Sequence, residues 1–270
     1  MPSLKWIMIL AVLAGCRPVF HLPVKKNSGE HTGSLFYKQA AAMNWQQRDS
    51  LALQTILRDG LPPFLCRFVP VKVFIVDSAS GKKIEAVFYV APDYLSVGTN
   101  DDWARINITP LAAQQVADSF DCFLPTKKMV DDIYRAAVIK PEPVPMYAYR
   151  DSTPTMCHHH LIIEGQRKGR AGLIAGIKKD VVISGAVSRD KREKRVAIYG
   201  WHKTDGKPIQ PLYTGHVYWW VDYSQGVRLI YRNIKVDGRW MDYTDVLKHP
   251  VLRRLLCDEE YCDFYRYNYR

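Results

Sequence analysis

The sequence predicts an α+β fold, in which a helical N-terminal half packs on a largely antiparallel β-sheet. The 270 residues are 47% hydrophobic, which is enough for one good-sized domain. Helix start signals are concentrated before residue 140, whereas strand-forming segments with Asp-Gly turns dominate after it. Helices and strands segregated along the chain in this way are typical of α+β domains.

Three helices are predicted in the N-terminal half. The first spans residues 47–57, with its apolar residues on one side and Gly60 beyond its end. Thr109 is a capping residue followed by a proline, so a second helix is expected to run to about Ser119. Thr126 is expected to cap the third.

The other segments predict β-strands. Residues 69–77 and 83–92 are rich in strand formers and are joined by the polar turn SASGKK, which predicts a hairpin. Seven strands are predicted in the C-terminal half, at residues 158–164, 172–176, 180–185, 195–201, 216–223, 227–236 and 239–243. A helix from Thr244 to Leu256, interrupted near Pro250, closes the predicted fold.

The first sixteen residues indicate export. The apolar stretch from Trp6 to Leu13 is shorter than the ~20 residues of a transmembrane helix and is typical of a signal-peptide core. The sequence Leu13-Ala14-Gly15-Cys16 resembles the lipobox of bacterial lipoproteins. The resemblance implies that residues 1–15 are removed and that Cys16 is lipid-modified, which anchors the mature chain to a membrane. A plain secretory signal with an incidental cysteine is the alternative.

The same resemblance predicts a location in the cell envelope. Arg17 follows Cys16 and no acidic cluster comes next, so the analogy with Gram-negative sorting predicts the outer membrane, with the domain facing the periplasm. Residues 16–34 are polar and are expected to form a tether, followed by a single domain over 35–270. Residues 140–147 contain three prolines and mark a possible sub-boundary.

The formal net charge of +11 indicates which kinds of binding partner to expect. Much of the excess lies in residues 166–170 and 188–195, and such basic patches favour anionic partners; solvated loops are the alternative. Because an extracytoplasmic location argues against nucleic acid, the expected partners are the membrane, through the lipid anchor, and an anionic envelope polymer or a protein.

The cysteine count predicts a free thiol. If Cys16 carries lipid, five cysteines remain, so at least one stays unpaired outside the cytoplasm. A disulfide between Cys257 and Cys262 and a second between Cys66 and Cys122 would leave Cys157 free. A neighbouring imidazolium would make that thiol a nucleophile candidate; a small buried apolar group is the alternative.

The histidines of the C-terminal half predict a metal site. On the predicted strand 158–164, His158 and His160 point to one side, and two such ligands could begin a zinc site completed by other histidines. The candidate metal ligands are His160, His202 and His216. Zinc is therefore a possible cofactor, although no H-E-x-x-H pattern is present; histidines making ordinary hydrogen bonds are the alternative.

The densest polar cluster lies in residues 215–229, and on an unbroken strand its His216 and Asp222 would share a face. The candidate catalytic residues are His202, His216, Asp222, Ser224 and Arg228. His216 is the expected general base or ligand, oriented by Asp222, while Ser224 polarises or attacks and Arg228 holds an anionic group. An aromatic hairpin with a polar turn is the alternative.

Candidate substrate-binding residues flank this cluster. They are the aromatic residues Trp219 and Tyr223, as walls of a pocket, and Lys178, Lys179 and Asp180, for an anionic substrate group. The last three could equally form a tight polar turn.

Two resemblances to known proteins include this cluster. The segment SQGVRL is faintly similar to the signature of L,D-transpeptidases, but Gln225 stands at the histidine and the nucleophilic cysteine is missing, so that chemistry is rejected. Five segments together resemble a group of exported bacterial proteins of unassigned chemistry, in which histidine is expected where Gln225 stands. They are LPTKKMVDDIY, AGIKKDVV, AIYGWH, PIQPLYTGH and DYSQGVR.

Two functions remain open. One is an envelope hydrolase acting on a cell-wall or polysaccharide substrate. The alternative is a non-catalytic lipoprotein that binds an anionic envelope polymer or a protein partner. Convergence of the histidines and Asp222 on one point would favour the enzyme.

Overall fold

The computed structural model describes residues 20–23 and 31–269 and confirms the α+β fold. The helices are α1 (Gly33–Ala40), α2 (Trp45–Asp59), α3 (Pro110–Ser119), α4 (Lys127–Ala136), α5 (Thr153–Arg167), α6 (Gly185–Arg189) and α7 (Tyr243–Lys248), with 3₁₀ turns at Pro63–Cys66 and Leu252–Leu255. The strands are β1 (Phe20–His21), β2 (Arg67–Val76), β3 (Lys83–Val90), β4 (Ser96–Gly98), β5 (Trp103–Arg105), β6 (Cys122–Phe123), β7 (Lys179–Val182), β8 (Ala197–His202), β9 (Pro208–Tyr213), β10 (Gln225–Gly226), β11 (Ile230–Tyr231), β12 (Asn233–Val236) and β13 (Arg239–Asp242).

The main sheet is built around the predicted hairpin of β2 and β3, which pair from Val69↔Val90 to Val76↔Lys83. Its strand order is β1-β2-β3-β11-β6, with β12 beside β3 and β13 beside β12, and all these pairs are antiparallel. One hydrophobic core combines its inner face with residues beyond the connector, such as Leu173 and Val181. Each large apolar side chain buried there contributes about 1.5–3 kcal/mol.

A second sheet positions the candidate site. Its order is β10-β7-β8-β9, in which β10 runs parallel to β7 and the other neighbours are antiparallel. The register places Gln225 opposite Lys179 and Gly226 opposite Asp180. Two polar segments that are distant in sequence therefore lie side by side.

The capping signals correctly predict three helices. α2 begins after a capping box formed by Asn44 and Gln47 and ends at Gly60. Thr109 and Thr126 each accept a backbone N–H of the helix that follows, as predicted for α3 and α4. The predicted C-terminal helix is also confirmed, as α7 followed by a 3₁₀ turn beyond Pro250. Within the described residues, no helix is both long and apolar enough to cross a membrane.

The strand predicted over residues 158–164 is wrong, because these residues belong to α5. The hydroxyl of Ser152 caps this helix, and a proline occupies its first turn. Its buried side chains include Met156, His159, His160 and Ile163, which follow the i, i+3, i+4, i+7 spacing of one helical face. His158 is exposed, so it does not share a face with His160.

Two further predicted strands are absent from the structure. Residues 172–176 contribute an isolated bridge between Ile174 and Ile139, and residues 216–223 contribute one between Val217 and Arg195. The chain from Thr214 to Ser224 otherwise forms turns and irregular structure. The strand alternation used to align His216 with Asp222 therefore does not apply.

The start of the fold also differs from the expectation. Phe20 and His21 pair with Phe68 and Arg67, and Leu22 is buried. The tether predicted over residues 16–34 therefore does not extend through residues 20–22, and helix α1 already begins at Gly33. The leader, the lipobox with Cys16 and residues 24–30 lie outside the described residues.

The cysteines pair as predicted at one site. Cys257 and Cys262 form a disulfide, whereas Cys66, Cys122 and Cys157 are free thiols. The second predicted disulfide is thus not present, and Cys157 is free as expected. Burial raises the pKa of the Cys157 thiol, which disfavours the nucleophilic thiolate.

We expect the three free thiols to differ in reactivity towards a thiol-alkylating reagent under native conditions. Cys157 is half-buried, whereas Cys66 and Cys122 are buried and burial raises the pKa of both thiols. Alkylation followed by peptide mass spectrometry should label Cys157 at least about tenfold faster, because the other two react only after local opening. Equal rates at all three positions would contradict the packing described here.

Candidate functional site

The candidate site is centred on the buried carboxylate of Asp222. One oxygen, Oδ1, accepts the backbone N–H of Ser224 at 2.8 Å and its hydroxyl at 2.6 Å. The other, Oδ2, accepts a guanidinium N–H of Arg150 at 2.9 Å. No signal in the sequence marks Arg150 as a site residue. It lies in a loop after the proline-rich connector, 72 positions before Asp222.

The turn from Asp222 to Gln225 is held rigidly from two sides. Asn107 Nδ2 donates to the carbonyl oxygens of Asp222 at 3.0 Å and Tyr223 at 3.1 Å. The ammonium of Lys178 donates to the same Tyr223 oxygen. Within the turn, the side-chain oxygen of Gln225 accepts the N–H of Asp222 at 2.9 Å. A side-chain amide can thus close this turn at the position where histidine was expected.

Lys179 brings a second cation to Asp222. Its backbone N–H donates to the carbonyl oxygen of Ser224 at 2.6 Å, next to the parallel pairing of β7 and β10. Its ammonium lies 5.5 Å from the ring centroid of Trp201. Burial, with the charge of Arg150, lowers the pKa of Lys179, and the Asp222 carboxylate partly offsets this.

His216 lies close enough to interact with the same charges. Burial lowers its pKa, the positive charges of Lys179 and Arg150 lower it further, and Asp222 opposes them. The lowered pKa favours the neutral imidazole. Its ring stacks on Trp220, with centroids 6.0 Å apart, and meets the edge of Tyr213 at 5.3 Å.

Exposed aromatic side chains lie on the solvent side of His216. Tyr213, Trp219 and Trp220 are all partly solvent-exposed, so their rings can contact a ligand. We refer to the arrangement as the Asp222 site, which comprises Arg150, Lys179, Trp201, Tyr213, His216, Trp220 and Asp222.

A groove of about 480 Å³ adjoins the Asp222 site at Trp201. It runs between the connector residues Pro143 and Pro145 and the β8–β9 hairpin, where Ile209 lies. The indole N–H of Trp201 is buried and has no hydrogen-bond partner among the described residues. Trp201 also has a φ of 55°, in the left-handed region that a bulky residue rarely adopts. Strain together with an unsatisfied donor is a feature of ligand-binding positions.

The structure does not bring the three proposed zinc ligands together. The ring of His160 lies against Arg105 and Trp103, whereas that of His216 lies against Trp220. His202 Nε2 is hydrogen-bonded to Asp131 at 2.9 Å and stacks on Tyr134. Over residues 20–23 and 31–269, no group of three or more His, Cys, Asp or Glu side chains could hold a metal ion.

Two other predicted site residues are part of a buried network. Arg228 donates to the carbonyl oxygens of Ala91 at 3.0 Å and Ile174 at 2.7 Å, and its guanidinium lies 4.0 Å from the ring centroid of Tyr94. The Tyr94 hydroxyl donates to Asp180 Oδ2 at 2.9 Å. Both charged residues are almost fully buried, so these contacts join chain segments instead of facing a ligand.

Three further predicted site residues are also buried and hold the local structure together. Ser224 is fully buried, and its hydroxyl donates to Asp222. Tyr223 is buried too, and its hydroxyl accepts the N–H of Met146, which fixes the connector. Lys178 is enclosed behind the turn, where burial and the charge of Arg105 lower its pKa to about 7. Of the predicted residues, Lys179, His216 and Asp222 thus assemble into one site, together with Arg150 and Trp201. Trp219 is exposed, and its ring contacts that of Tyr218.

A larger buried ionic cluster was missed by the sequence reasoning. Arg105 forms a bidentate pair with Asp93, at 2.7 and 2.8 Å, and also binds Glu164 at 2.7 Å. Burial opposes ionisation of Asp93, but the charges of Arg105, Arg228 and Arg167 hold the pKa of that carboxyl below its usual range. The cluster ties the β4–β5 hairpin to α5.

Comparisons with known proteins add no relatives. No family model matches the chain, and neither the curated proteins nor the solved structures include a significant match.

Proposed function

We propose that this chain is a lipid-anchored protein of the cell envelope that binds an anionic envelope polymer at the Asp222 site without hydrolysing it. The anchor would be the acylated Cys16, with the domain on the periplasmic side of the outer membrane. The observation that supports binding most directly is that Arg150, with a side chain 43% exposed, donates to Asp222 at 2.9 Å, while the charge of Lys179 acts on the same carboxylate. The positive charges near Asp222 outnumber its single negative charge, so the exposed Arg150 guanidinium can attract an anionic ligand group.

The aromatic residues indicate the kind of polymer. Exposed indole and phenol rings at Trp219, Trp220 and Tyr213 offer flat apolar surfaces beside the charges. Sites that combine such rings with a few placed polar groups suit ligands with both apolar faces and hydrogen-bonding groups. A cell-wall glycan with carboxylate substituents has this chemistry, and the groove at Trp201 provides room for its chain.

Hydrolysis is less well supported by the arrangement. The Ser224 hydroxyl donates to the Asp222 carboxylate but is fully buried, so a polymer in solvent cannot reach it as a substrate of nucleophilic attack. His202 is engaged with Asp131, and Arg228 is occupied by backbone carbonyls. Of the predicted catalytic residues this leaves His216 as a candidate base, and hydrolysis of a glycan needs a general acid or a nucleophile placed with it.

We expect Lys179→Met to reduce binding to purified peptidoglycan sacculi about tenfold in a co-sedimentation assay, because one charge-assisted hydrogen bond is worth ~1.5–3 kcal/mol. Arg150→Gln should have a similar effect. Lys38→Met is the matched control, since Lys38 is an exposed lysine on α1, and it should bind as the wild type does.

The same preparations test the catalytic alternative. Release of soluble fragments from sacculi by the wild type, lost in His216→Ala, would overturn the non-catalytic proposal. Unchanged sedimentation of Lys179→Met and Arg150→Gln would instead show that the Asp222 site is not the binding site.

A further inference from the structure

The solvent-facing side of the main sheet carries an unusual set of side chains. Alternation along β2 turns Lys72 and Phe74 outward. The register aligns Lys72 with Val87, Val87 with Lys235, and Lys235 with Trp240, which forms a row across four strands. Phe74 is 61% exposed and Trp240 is 50% exposed. We call this surface, made by Lys72, Phe74, Val87, Tyr89, Lys235 and Trp240, the outer sheet face.

The N-terminal segment is attached to this face. The Phe20 ring lies 5.2 Å from that of Tyr89 and 4.4 Å from that of Tyr231, and both tyrosine rings contact Trp240, at 5.8 and 6.2 Å. Only four positions separate Phe20 from Cys16 in the sequence. A fully extended chain of that length spans at most roughly 14 Å. An acyl chain on Cys16 would therefore hold the outer sheet face close to the membrane.

The charge of the face suits an anionic surface. Lys72 and Lys235 carry the positive charge in the central row, while the nearby Glu85 is neutralised by Lys83 at 2.6 Å. A groove of about 680 Å³ lies between this face and the end of α4, where it is lined by Arg135, which is paired with Asp132. Such a groove, lined by apolar and basic groups, is compatible with lipid headgroups.

We propose that the outer sheet face docks on an anionic phospholipid bilayer, with Trp240 and Phe74 in the interfacial region and Lys72 and Lys235 at the headgroups. Tryptophan and tyrosine concentrate at membrane interfaces, and each lysine near an anionic surface contributes about 1 kcal/mol. One lipid anchor combined with a basic patch gives stable membrane attachment. The orientation rests on the proposed lipid anchor, whereas the affinity of the face for lipid does not.

The test uses the whole mature chain without acyl groups. The variant Cys16→Ser, exported through a cleavable secretory leader, is mixed with vesicles of phosphatidylglycerol and phosphatidylcholine and sedimented. We expect binding that is absent with pure phosphatidylcholine and that falls at least tenfold in Lys72→Glu/Lys235→Glu. The matched control, Lys38→Glu/Lys207→Glu, makes the same change in net charge at exposed positions elsewhere and should stay within twofold. Trp240→Ala should also weaken binding.

The outcomes separate this proposal from the anchor. Failure of the unacylated chain to bind anionic vesicles, or an equal loss in both charge-reversal variants, overturns docking through the outer sheet face. Mass spectrometry of the N-terminal peptide of the cellular protein reports acylation of Cys16 independently. Acylation without vesicle binding would support the lipid anchor and refute docking through the outer sheet face. Vesicle binding without acylation would support docking and refute the lipid anchor.

Discussion

Arg105→Ala is expected to lower the free energy of unfolding by about 3–5 kcal/mol, because it leaves the buried carboxylate of Asp93 without its principal partner. Arg105 and Asp93 are both 1% exposed, and the pair is bidentate at 2.7 and 2.8 Å. The loss also removes the 2.7 Å contact to Glu164 and so detaches the β4–β5 hairpin from α5. Urea denaturation at pH 7 measures the effect.

The control for this prediction is an ion pair whose arginine is exposed and whose aspartate, although buried, keeps a second cationic partner, Lys128, at 2.7 Å. Arg135, with a side chain 66% exposed, pairs with Asp132 one helical turn away. Because solvent screens such a pair, Arg135→Ala should cost less than about 1 kcal/mol. Equal destabilisation by the two substitutions would refute the claim that burial makes the Arg105 cluster critical.

Lys178→Met is expected to change the pH dependence of stability. Burial lowers the pKa of Lys178 to about 7, whereas an unfolded lysine titrates near ~10.4. Between these values the unfolded chain binds more protons than the folded one, so the wild type gains stability as the pH rises, by up to about 1.4 kcal/mol per pH unit. Below pH 7 both states are protonated and the full cost of burying the ammonium remains.

Methionine has a volume similar to that of lysine but does not titrate, so Lys178→Met removes the pH dependence of stability that Lys178 causes. The stability of Lys178→Met relative to the wild type should therefore fall by about 3 kcal/mol between pH 6.5 and 9.5. Urea denaturation across this range measures it, with Lys38→Met, at an exposed position, as the control. Parallel curves for the wild type and Lys178→Met would show that Lys178 is not a buried ammonium.

The elements that could be predicted from the sequence are those encoded by neighbouring residues. Thr109, Thr126 and Gly60 mark helix ends because a cap needs only a side chain and backbone groups within one turn. Helix α5 was mistaken for a strand because two of its four core positions are histidines. Counting His159 and His160 as buried, with Met156 and Ile163, would have revealed the helical period.

The candidate site was only partly predictable for the same reason. The polar residues at 178–180 and 222–228 were recognised as separate segments, but their proximity depends on the parallel pairing of β10 with β7. Arg150 has no local motif, since it is an arginine in a loop. Its role follows solely from its contact with Asp222.

By itself, the sequence determined the α+β class, the β2–β3 hairpin, the capped helices and the short-range disulfide, because each depends on hydrogen bonds, periodicity or chain closure over a few residues. Only the tertiary structure decided which charges meet. It separated His160, His202 and His216, joined Arg105 to Asp93 and Arg150 to Asp222, and paired β7 with β10. Such contacts act over ~3–4 Å, whereas the partners are 12 to 72 positions apart along the chain, so strand order and packing determine them.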